Sequence, residues 1–276
     1  MFQYAFGRGT ALRMGFQLSL DTADFQWYSA HEGFQLPQLG IRYNQASEED
    51  LRRLLGWQHQ TWARRLRLYK HLPRPNTVVE PYFHFSPRCA KGPDGSYFVG
   101  YWQSYRYFSD FANDIRTDFT SGHVDLSAYG SLWHEIETSE SVAVHVRRGD
   151  YVSTKRGRMA HGPRGSQYYD LAIAEICRLV PEPKFFVFSD QPSVVAEERL
   201  VKEPHVLVHV HPRPPAHVEL RLMARCKHFV IANSSFSWWA AWLGSASNKR
   251  VIAPRKWFMD QKRTTLDLIP ADWIGV

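Results

Sequence analysis

Residues 141–151 read Ser-Val-Ala-Val-His-Val-Arg-Arg-Gly-Asp-Tyr. The alternating apolar run at the start of this stretch predicts a buried strand over Ser141–Val146. Two arginines and a carboxylate follow where that strand ends, and ligands of open α/β sheets bind outside the carboxyl ends of the strands. Paired guanidinium groups suit a diphosphate, because they stay charged and donate in a fork. The stretch therefore predicts an anion site, with a solvated Arg–Asp surface pair as the open alternative.

The second half of the chain alternates predicted strands with predicted helices. Further strands are predicted over Lys184–Ser189, Val206–Val210, His228–Ala232 and Arg250–Ala253, helices over Tyr168–Val180, Ser193–Val201, His217–Cys226 and Ser237–Leu243, and a loop over Ser153–Gly165. This alternation is typical of βαβ units and a parallel sheet. Right-handed crossovers then place the loops after all the strands along one edge of the sheet.

The first half is less regular. A helix is predicted over Phe2–Phe16, and a long basic helical stretch over Glu48–Tyr69 with a break near Gly56. The basic stretch is compatible with an anionic membrane surface or with a solvated helix face. Charged and small residues gather before the strand at 141, so we predict two lobes, residues 1–135 and 136–276.

Composition limits the class of protein. The chain has 276 residues, of which 44 % are hydrophobic, so it can build a core and is not disordered. Its net charge of +7 favours anionic partners, but no nucleic-acid motif accompanies the charge, and we expect no nucleic-acid partner. The three cysteines lack metal-ligand spacing; Cys177 and Cys226 are predicted to be packing residues of a cytoplasmic protein.

A second polar cluster follows a later predicted strand. Residues 232–239 read Ala-Asn-Ser-Ser-Phe-Ser-Trp-Trp and open a predicted helix. Backbone N–H groups at a helix start, together with hydroxyl groups, can bind phosphate oxygens, whereas the alternative is an ordinary N-cap. The candidate ligand-binding residues of this cluster are Asn233, Ser234, Ser235 and Ser237.

Three further polar residues lie at the ends of predicted elements. Ser189 and Asp190 end a strand at the same predicted edge, where they would contact the ligand or start the next helix. Glu219 begins a predicted helix, where its carboxylate could accept hydrogen bonds from the N1 and N2 edge of guanine or simply favour the helix N-terminus.

Taken together, these motifs resemble those of the bacterial α-1,2-fucosyltransferases. The resemblance runs nearly from end to end and rests on residues 1–7, 100–108, 145–151, 222–223, 226–228, 231–239, 251–254 and 257–258. It implies an α/β fold with two Rossmann-like lobes in a GT-B-type arrangement, with parallel sheets and the donor site in the C-terminal lobe. It also implies transfer of L-fucose from GDP-β-L-fucose to the 2-hydroxyl of a galactose-terminated glycan, with inversion and without a metal.

The resemblance extends to single residues. Arg147 matches the arginine that binds the β-phosphate, His145 and Glu219 fall where related enzymes contact guanine, and the serines of residues 234–237 fall at the pyrophosphate-binding helix start. Without a metal, fixed cations must stabilise the leaving phosphate. We therefore assign this role to Arg147 with support from Arg148, and we expect Asp150 to orient an arginine. The implied acceptor could be part of a lipid-linked polysaccharide precursor, which would bring the protein to the inner membrane surface.

Three departures from the family pattern leave alternatives open. The Gly-Gly-Leu-Gly-Asn-Gln turn before the opening helix is absent, Gln191 stands where a second aspartate is usual, and Ala224 follows Met223 in place of serine. We expect Met1 to be an internal methionine of a longer natural protein. The alternatives are a fucosyltransferase of another linkage and an inactive homologue that binds a GDP-sugar.

Overall fold

The chain forms two compact units. The computed structural model describes residues 1–27, 33–260 and 264–276, apart from the side chain of Arg156. The first unit comprises Met1–Gly122 and Thr264–Leu268, and the second comprises His123–Arg263 and Ile269–Val276. The first unit ends before the predicted boundary at residue 135. It also takes up residues near the C-terminus, because Asp267 accepts a hydrogen bond from the Phe85 backbone N–H at 2.7 Å.

The first unit is mainly helical. Its helices are α1 (Phe2–Met14), α2 (Glu48–Leu55), α3 (Thr61–Arg65), α4 (Leu68–His71) and α5 (Ala112–Thr120), and its strands are β1 (Ser19–Leu20), β2 (Asn44–Gln45), β3 (Thr77–Val79) and β4 (Tyr97–Val99). The strands form two separate parallel pairs, β1 with β2 and β3 with β4. Short 3₁₀ helices fill several of the connections, including Gly56–His59.

The second unit contains the larger sheet. Its strands are β5 (Ser141–Val146), β6 (Lys184–Ser189), β7 (His205–Val208), β8 (His228–Val230), β9 (Val251–Ala253) and β10 (Ile274–Gly275), and its helices are α6 (Leu132–Thr138), α7 (Gly149–Ser153), α8 (Lys155–Ala160), α9 (Ser166–Leu179), α10 (Pro192–Glu197), α11 (Ala216–Met223) and α12 (Ser235–Leu243). The strand order is β10-β9-β8-β5-β6-β7, and every pairing is parallel. The predicted α/β class with parallel sheets is therefore confirmed.

This strand order has a consequence for ligand binding. Chain order starts at β5 in the middle of the sheet, moves outward through β6 and β7, and then returns to β8 on the other side of β5. It is the order of a doubly wound nucleotide-binding fold, in which a crevice opens where the strand order reverses. In this unit the reversal lies between β5 and β8. The GT-B arrangement of the two units stays a prediction.

A continuous apolar core supports the central strands. All six residues of β5 are buried, as expected for a parallel strand that is covered on both faces. Val142, Val144 and Val146 pack against residues of α9, including Ile173 and Ile176. The core fixes the position of the β5 carboxyl end, so the polar residues that follow it start from a rigid support.

Several local predictions are corrected by the structure. The basic stretch 48–69 is interrupted at Gly56, with φ 55°, as predicted, but also at Arg67, with φ 52°, where no break was predicted. The predicted loop over Ser153–Gly165 contains α8, whose N-terminus is capped by Thr154 through a hydrogen bond from Gly157 N–H. Cys226 is buried as predicted, but Cys177 is exposed because it lies on the outer face of α9.

Within the described part of the chain, no helix is both long enough and apolar enough to cross a bilayer.

Candidate functional site

The site lies at the carboxyl ends of β5 and β8. The chain leaves β5 into the charged turn of residues 147–150 and leaves β8 into residues 231–234, which lead to α12. The Tyr151 hydroxyl joins these two segments by donating to the Asn233 carbonyl oxygen at 3.0 Å. The two polar clusters that the sequence predicts at one sheet edge are thus neighbours at the point where the strand order reverses.

Arg147 is held by two carboxylates. Its Nη2 donates to Asp150 Oδ1 at 2.7 Å, and its Nη1 lies 3.0 Å from Asp190 Oδ2. The guanidinium carbon also lies 5.7 Å from the centre of the Tyr151 ring. The side chain keeps 24 % exposure, so a bound anion could reach it. Its orientation is fixed in advance, which suits a group that must stabilise developing charge.

Asp190 connects the two arginines. Its Oδ1 accepts a hydrogen bond from the Arg148 backbone N–H at 2.9 Å, while its Oδ2 faces Arg147. Gly149 allows this close approach, since a Cβ there would collide with Asp190 Oδ2. Ser189 stabilises the next turn instead, because its Oγ accepts a hydrogen bond from the Gln191 N–H at 3.1 Å and so holds the chain before α10.

Arg148 points to a different partner from Arg147. Its side chain is buried and forms an ion pair with Glu198, which lies just after α10. Its Nε is buried and has no hydrogen-bond partner among the described residues. This ion pair joins the end of β5 to the end of α10, so Arg148 stabilises the structure around the site. Glu198 was missed by the sequence reasoning, because the pair is formed by residues fifty positions apart with no local pattern.

His145 is a buried side chain with an unused nitrogen. Its exposure is 3 %, and Nδ1 has no hydrogen-bond partner in the described part of the chain. Burial, reinforced by the cations Arg147 and Arg213, lowers the pKa of His145 to about 3. The imidazole is therefore neutral at physiological pH, and its unpaired Nδ1 would reach a ligand only if the surrounding residues moved to expose it.

The polar residues at the start of α12 have two different roles. Two of them stabilise the turn into the helix, and one is exposed to solvent. Ser234 caps the helix by accepting from the Phe236 N–H at 3.3 Å. Ser237 is fully buried and donates to the Ala232 and Ser234 carbonyl oxygens at 3.4 and 3.2 Å. Ser235 is exposed at the first turn, where backbone N–H groups lack intrahelical acceptors. Ser237 therefore stabilises the turn, whereas Ser235 lies at the surface beside the helix N-terminus.

Asn233 also builds the turn. Its side-chain amide donates to the carbonyl oxygens of His161, Gly162 and Trp257 at 2.9, 3.2 and 3.0 Å. Its Oδ1 is buried without a hydrogen-bond partner among the described residues. The side-chain amide of Asn233, a predicted ligand-binding residue, thus donates its hydrogens to the loops around the β8 end.

Glu219 is engaged by an arginine that the sequence reasoning did not single out. Arg213 forms a bidentate pair with it: Nε donates to Glu219 Oε2 at 3.0 Å, and Nη2 donates to Oε1 at 3.1 Å. Burial raises the pKa of Glu219 despite the opposing effect of Arg213. Arg213 is half exposed, whereas the Glu219 side chain is buried.

The buried neutral His145 predicts a pH dependence of stability. Between about pH 6.5 and pH 3 the unfolded chain binds a proton at this residue and the folded chain does not, so folding weakens as the pH falls. We expect a His145→Gln variant to remove about 1.4 kcal/mol per pH unit from the slope of the unfolding free energy between pH 6 and pH 4. Urea unfolding of both proteins across this range measures it, and parallel curves would contradict the prediction.

The described residues contain no cluster of three or more histidine, cysteine, aspartate or glutamate side chains that could hold a metal ion. The positive groups at this edge of the sheet are the partly exposed Arg147 side chain and the N-terminus of α12.

Two curated proteins resemble this chain, and both are glycosyltransferases. An α-1,2-colitosyltransferase of Escherichia coli is 29 % identical over 279 residues, covering 100 % of this chain and 94 % of that protein. The O-antigen biosynthesis glycosyltransferase WbnK of Escherichia coli is 33 % identical over 141 residues, covering 51 % of this chain and 46 % of WbnK.

One solved structure also matches part of the chain. It is the crystal structure of the NodZ α-1,6-fucosyltransferase soaked with GDP-fucose, with 20 % identity, 47 % coverage of this chain, 43 % coverage of NodZ and a TM-score of 0.31. The family comparison is broader: residues 59–276, which include every predicted site residue, match Glycosyl transferase family 11. This chain therefore belongs to Glycosyl transferase family 11.

Proposed function

We propose that this glycosyltransferase moves L-fucose from GDP-β-L-fucose to the 2-hydroxyl of a galactose-terminated glycan. The observation that carries the proposal is the Arg147 guanidinium, fixed by Asp150 and Asp190 at the reversal of strand order. A nucleoside diphosphate is the ligand class that such a crevice suits. The resemblance of the motifs at residues 145–151 and 231–239 to those of α-1,2-fucosyltransferases supports fucose as the sugar.

In the proposed reaction, Arg147 acts on the leaving group. The acceptor hydroxyl attacks the anomeric carbon of fucose while the bond from that carbon to the β-phosphate oxygen breaks, so the configuration inverts from β to α. The departing GDP gains a negative charge, which Arg147 and the N-terminus of α12 stabilise. Because this cation is supplied by the protein, we expect turnover to persist in the presence of a metal chelator.

Two other groups of the site have supporting roles in the proposal. Asp150 orients Arg147, since its Oδ1 is occupied by that hydrogen bond. His145 and Glu219 provide buried polar atoms on the guanine side of the ligand, where both are desolvated. The hydroxyl proton of the acceptor leaves to a base that we do not assign to any of these residues.

A colitosyl donor is the second candidate. It is favoured by one observation, the similarity to an α-1,2-colitosyltransferase over the whole of this chain. Colitose is the 3-deoxy form of L-fucose, so both sugars would place the same reacting carbon beside Arg147. Discrimination between them depends on contacts to a single hydroxyl group, and a site that hydrogen-bonds this hydroxyl would reject the deoxy sugar strongly.

The function is tested by incubating the intact chain with GDP-fucose or GDP-colitose and a set of β-galactosides, including a lipid-linked one. We expect acceptor-dependent release of GDP and an α-1,2-linked product by NMR, with or without chelator. A product with a different linkage would contradict the proposed acceptor position. Calorimetric binding of GDP-fucose without acceptor-dependent release of GDP would instead support an inactive homologue that binds the sugar nucleotide.

A further inference from the structure

The stretch from Leu51 in α2 to Val79 follows three acidic residues at the start of α2 and has an unusual charge distribution. Residues 51–79 include seven lysines and arginines and no aspartate or glutamate. Arg64 is buried, and its guanidinium group pairs with Asp21 and Asp24 at 2.8 and 2.7 Å. Five other cations of the segment are exposed and form no salt bridge with a carboxylate of the described residues: Arg52, Arg65, Arg67, Lys70 and Arg74.

The same segment exposes large apolar side chains. Trp57 and Trp62 are 45 % and 52 % exposed, and their rings stack with centres 5.5 Å apart. Leu66 and Leu72 are 61 % and 58 % exposed. These exposed side chains do not pack the segment against the rest of the protein. Its buried apolar cluster is formed by Leu51, Leu55 and Tyr69.

Tertiary contacts bring these charges and apolar groups together. The Gln58 side-chain amide donates to the Leu72 carbonyl oxygen at 2.8 Å, which places Leu72 beside the turn that carries Trp57. Arg74 lies over Gly56, where a Cβ would be 2.6 Å from its Nη1. The turn over residues 56–59 and α4 both pack against α3, so residues 56–74 form one surface, here called the α2–α4 surface, that mixes indole rings, leucine side chains and exposed cations.

We propose that the α2–α4 surface binds an anionic lipid bilayer. Tryptophan side chains favour the level of the lipid head groups, and each lysine or arginine near an anionic surface contributes about 1 kcal/mol of attraction. Apolar contact and charge attraction must act together for stable peripheral binding, and this surface supplies both. Residues 51–79, which contain no carboxylate, have a charge complementary to phosphatidylglycerol head groups. Binding of the bilayer is independent of which sugar the enzyme transfers.

The test is co-sedimentation of the intact protein with vesicles. We expect binding to vesicles that contain phosphatidylglycerol, little binding to pure phosphatidylcholine, and release at high salt. The double variant Arg67→Gln/Lys70→Gln should lower the partition coefficient about 25-fold, since each lost charge accounts for about fivefold. The double variant Trp57→Ser/Trp62→Ser should lower it roughly tenfold at unchanged net charge.

The matched control is Arg88→Gln/Lys91→Gln. It removes the same charge from exposed residues of the first unit whose segment packs near α1, and it should retain nearly full vesicle binding. Equal loss in the control and in Arg67→Gln/Lys70→Gln would reduce the effect to net charge and overturn the proposal. Absence of vesicle binding by the unmodified protein would also overturn the proposal. A protein partner would then be the candidate occupant of this surface. Thermal unfolding of each variant verifies that these exposed substitutions preserve the fold.

Discussion

Replacement of Arg147 by alanine is expected to lower the rate of glycosyl transfer by about 10²–10³-fold, the usual cost of removing one donor to developing negative charge. The fold should survive, because Asp190 keeps its hydrogen bond from the Arg148 N–H and the Arg147 side chain is already partly exposed. The rate is measured at saturating donor and acceptor, and GDP affinity is measured by calorimetry. A variant that turns over at a near-normal rate would reject the assignment.

Two further variants sharpen this test. Arg147→Lys keeps the charge but loses the forked geometry that reaches Asp150 and Asp190 together, so its activity should lie between those of the unmodified protein and the alanine variant. Arg178→Ala removes an exposed arginine that pairs with Glu175 on the surface of α9. Its activity should be unchanged, which separates the role of Arg147 from a general loss of positive charge.

Replacement of Gly149 by alanine is expected to have the second-largest effect on activity. The added methyl group would collide with Asp190 Oδ2, and Asp190 cannot move without losing its contacts to Arg147 and to the Arg148 N–H. Misplacement of a catalytic group by about 1 Å can reduce the rate about 10²-fold. We expect a fall of this size in kcat with a loss of about 1–3 kcal/mol in the free energy of unfolding.

The matched control for Gly149 is Gly165→Ala. Gly165 precedes α9 with an ordinary φ of −85°, and a Cβ there would meet no atom within 4 Å. Its activity should stay normal and its stability should change only slightly. If Gly149→Ala is as active as this control, the close approach of Asp190 has no part in positioning Arg147.

Much of the second unit could be predicted from local patterns. The buried run at 141–146 and the run at 184–189 match β5 and β6 in full, because fully covered parallel strands need continuous apolar sequence. Helix ends were less predictable, as α10 ends at Glu197 and not at Val201. The basic stretch of the first unit kept its predicted break at Gly56, but the second interruption at Arg67 carries no sequence signal since arginine does not favour a positive φ.

Some residues of the candidate site could likewise be predicted from local sequence, and others could not. Arg147, Asp150 and Asp190 could be named from their place after predicted strands, and the structure brings them into contact. Arg213 and Glu198 could not be named, because their partners Glu219 and Arg148 are recognised only when loops and strands fold together. Asn233 and Ser237 look like ligand-binding residues in sequence, yet in the fold their hydrogen bonds hold the α12 turn.

The sequence by itself determined the alternation of strands and helices, the charged turn after β5, the polar start of α12 and the resemblance to fucosyltransferases, since these depend on residue type and short spacing. Only the tertiary structure decided which arginine remains open to a ligand and which one is buried against Glu198. It also decided that His145 is neutral and that Trp57, Leu72 and Arg74 share a surface. Burial and charge pairing depend on residues distant in the chain, and only the folded chain brings those residues together.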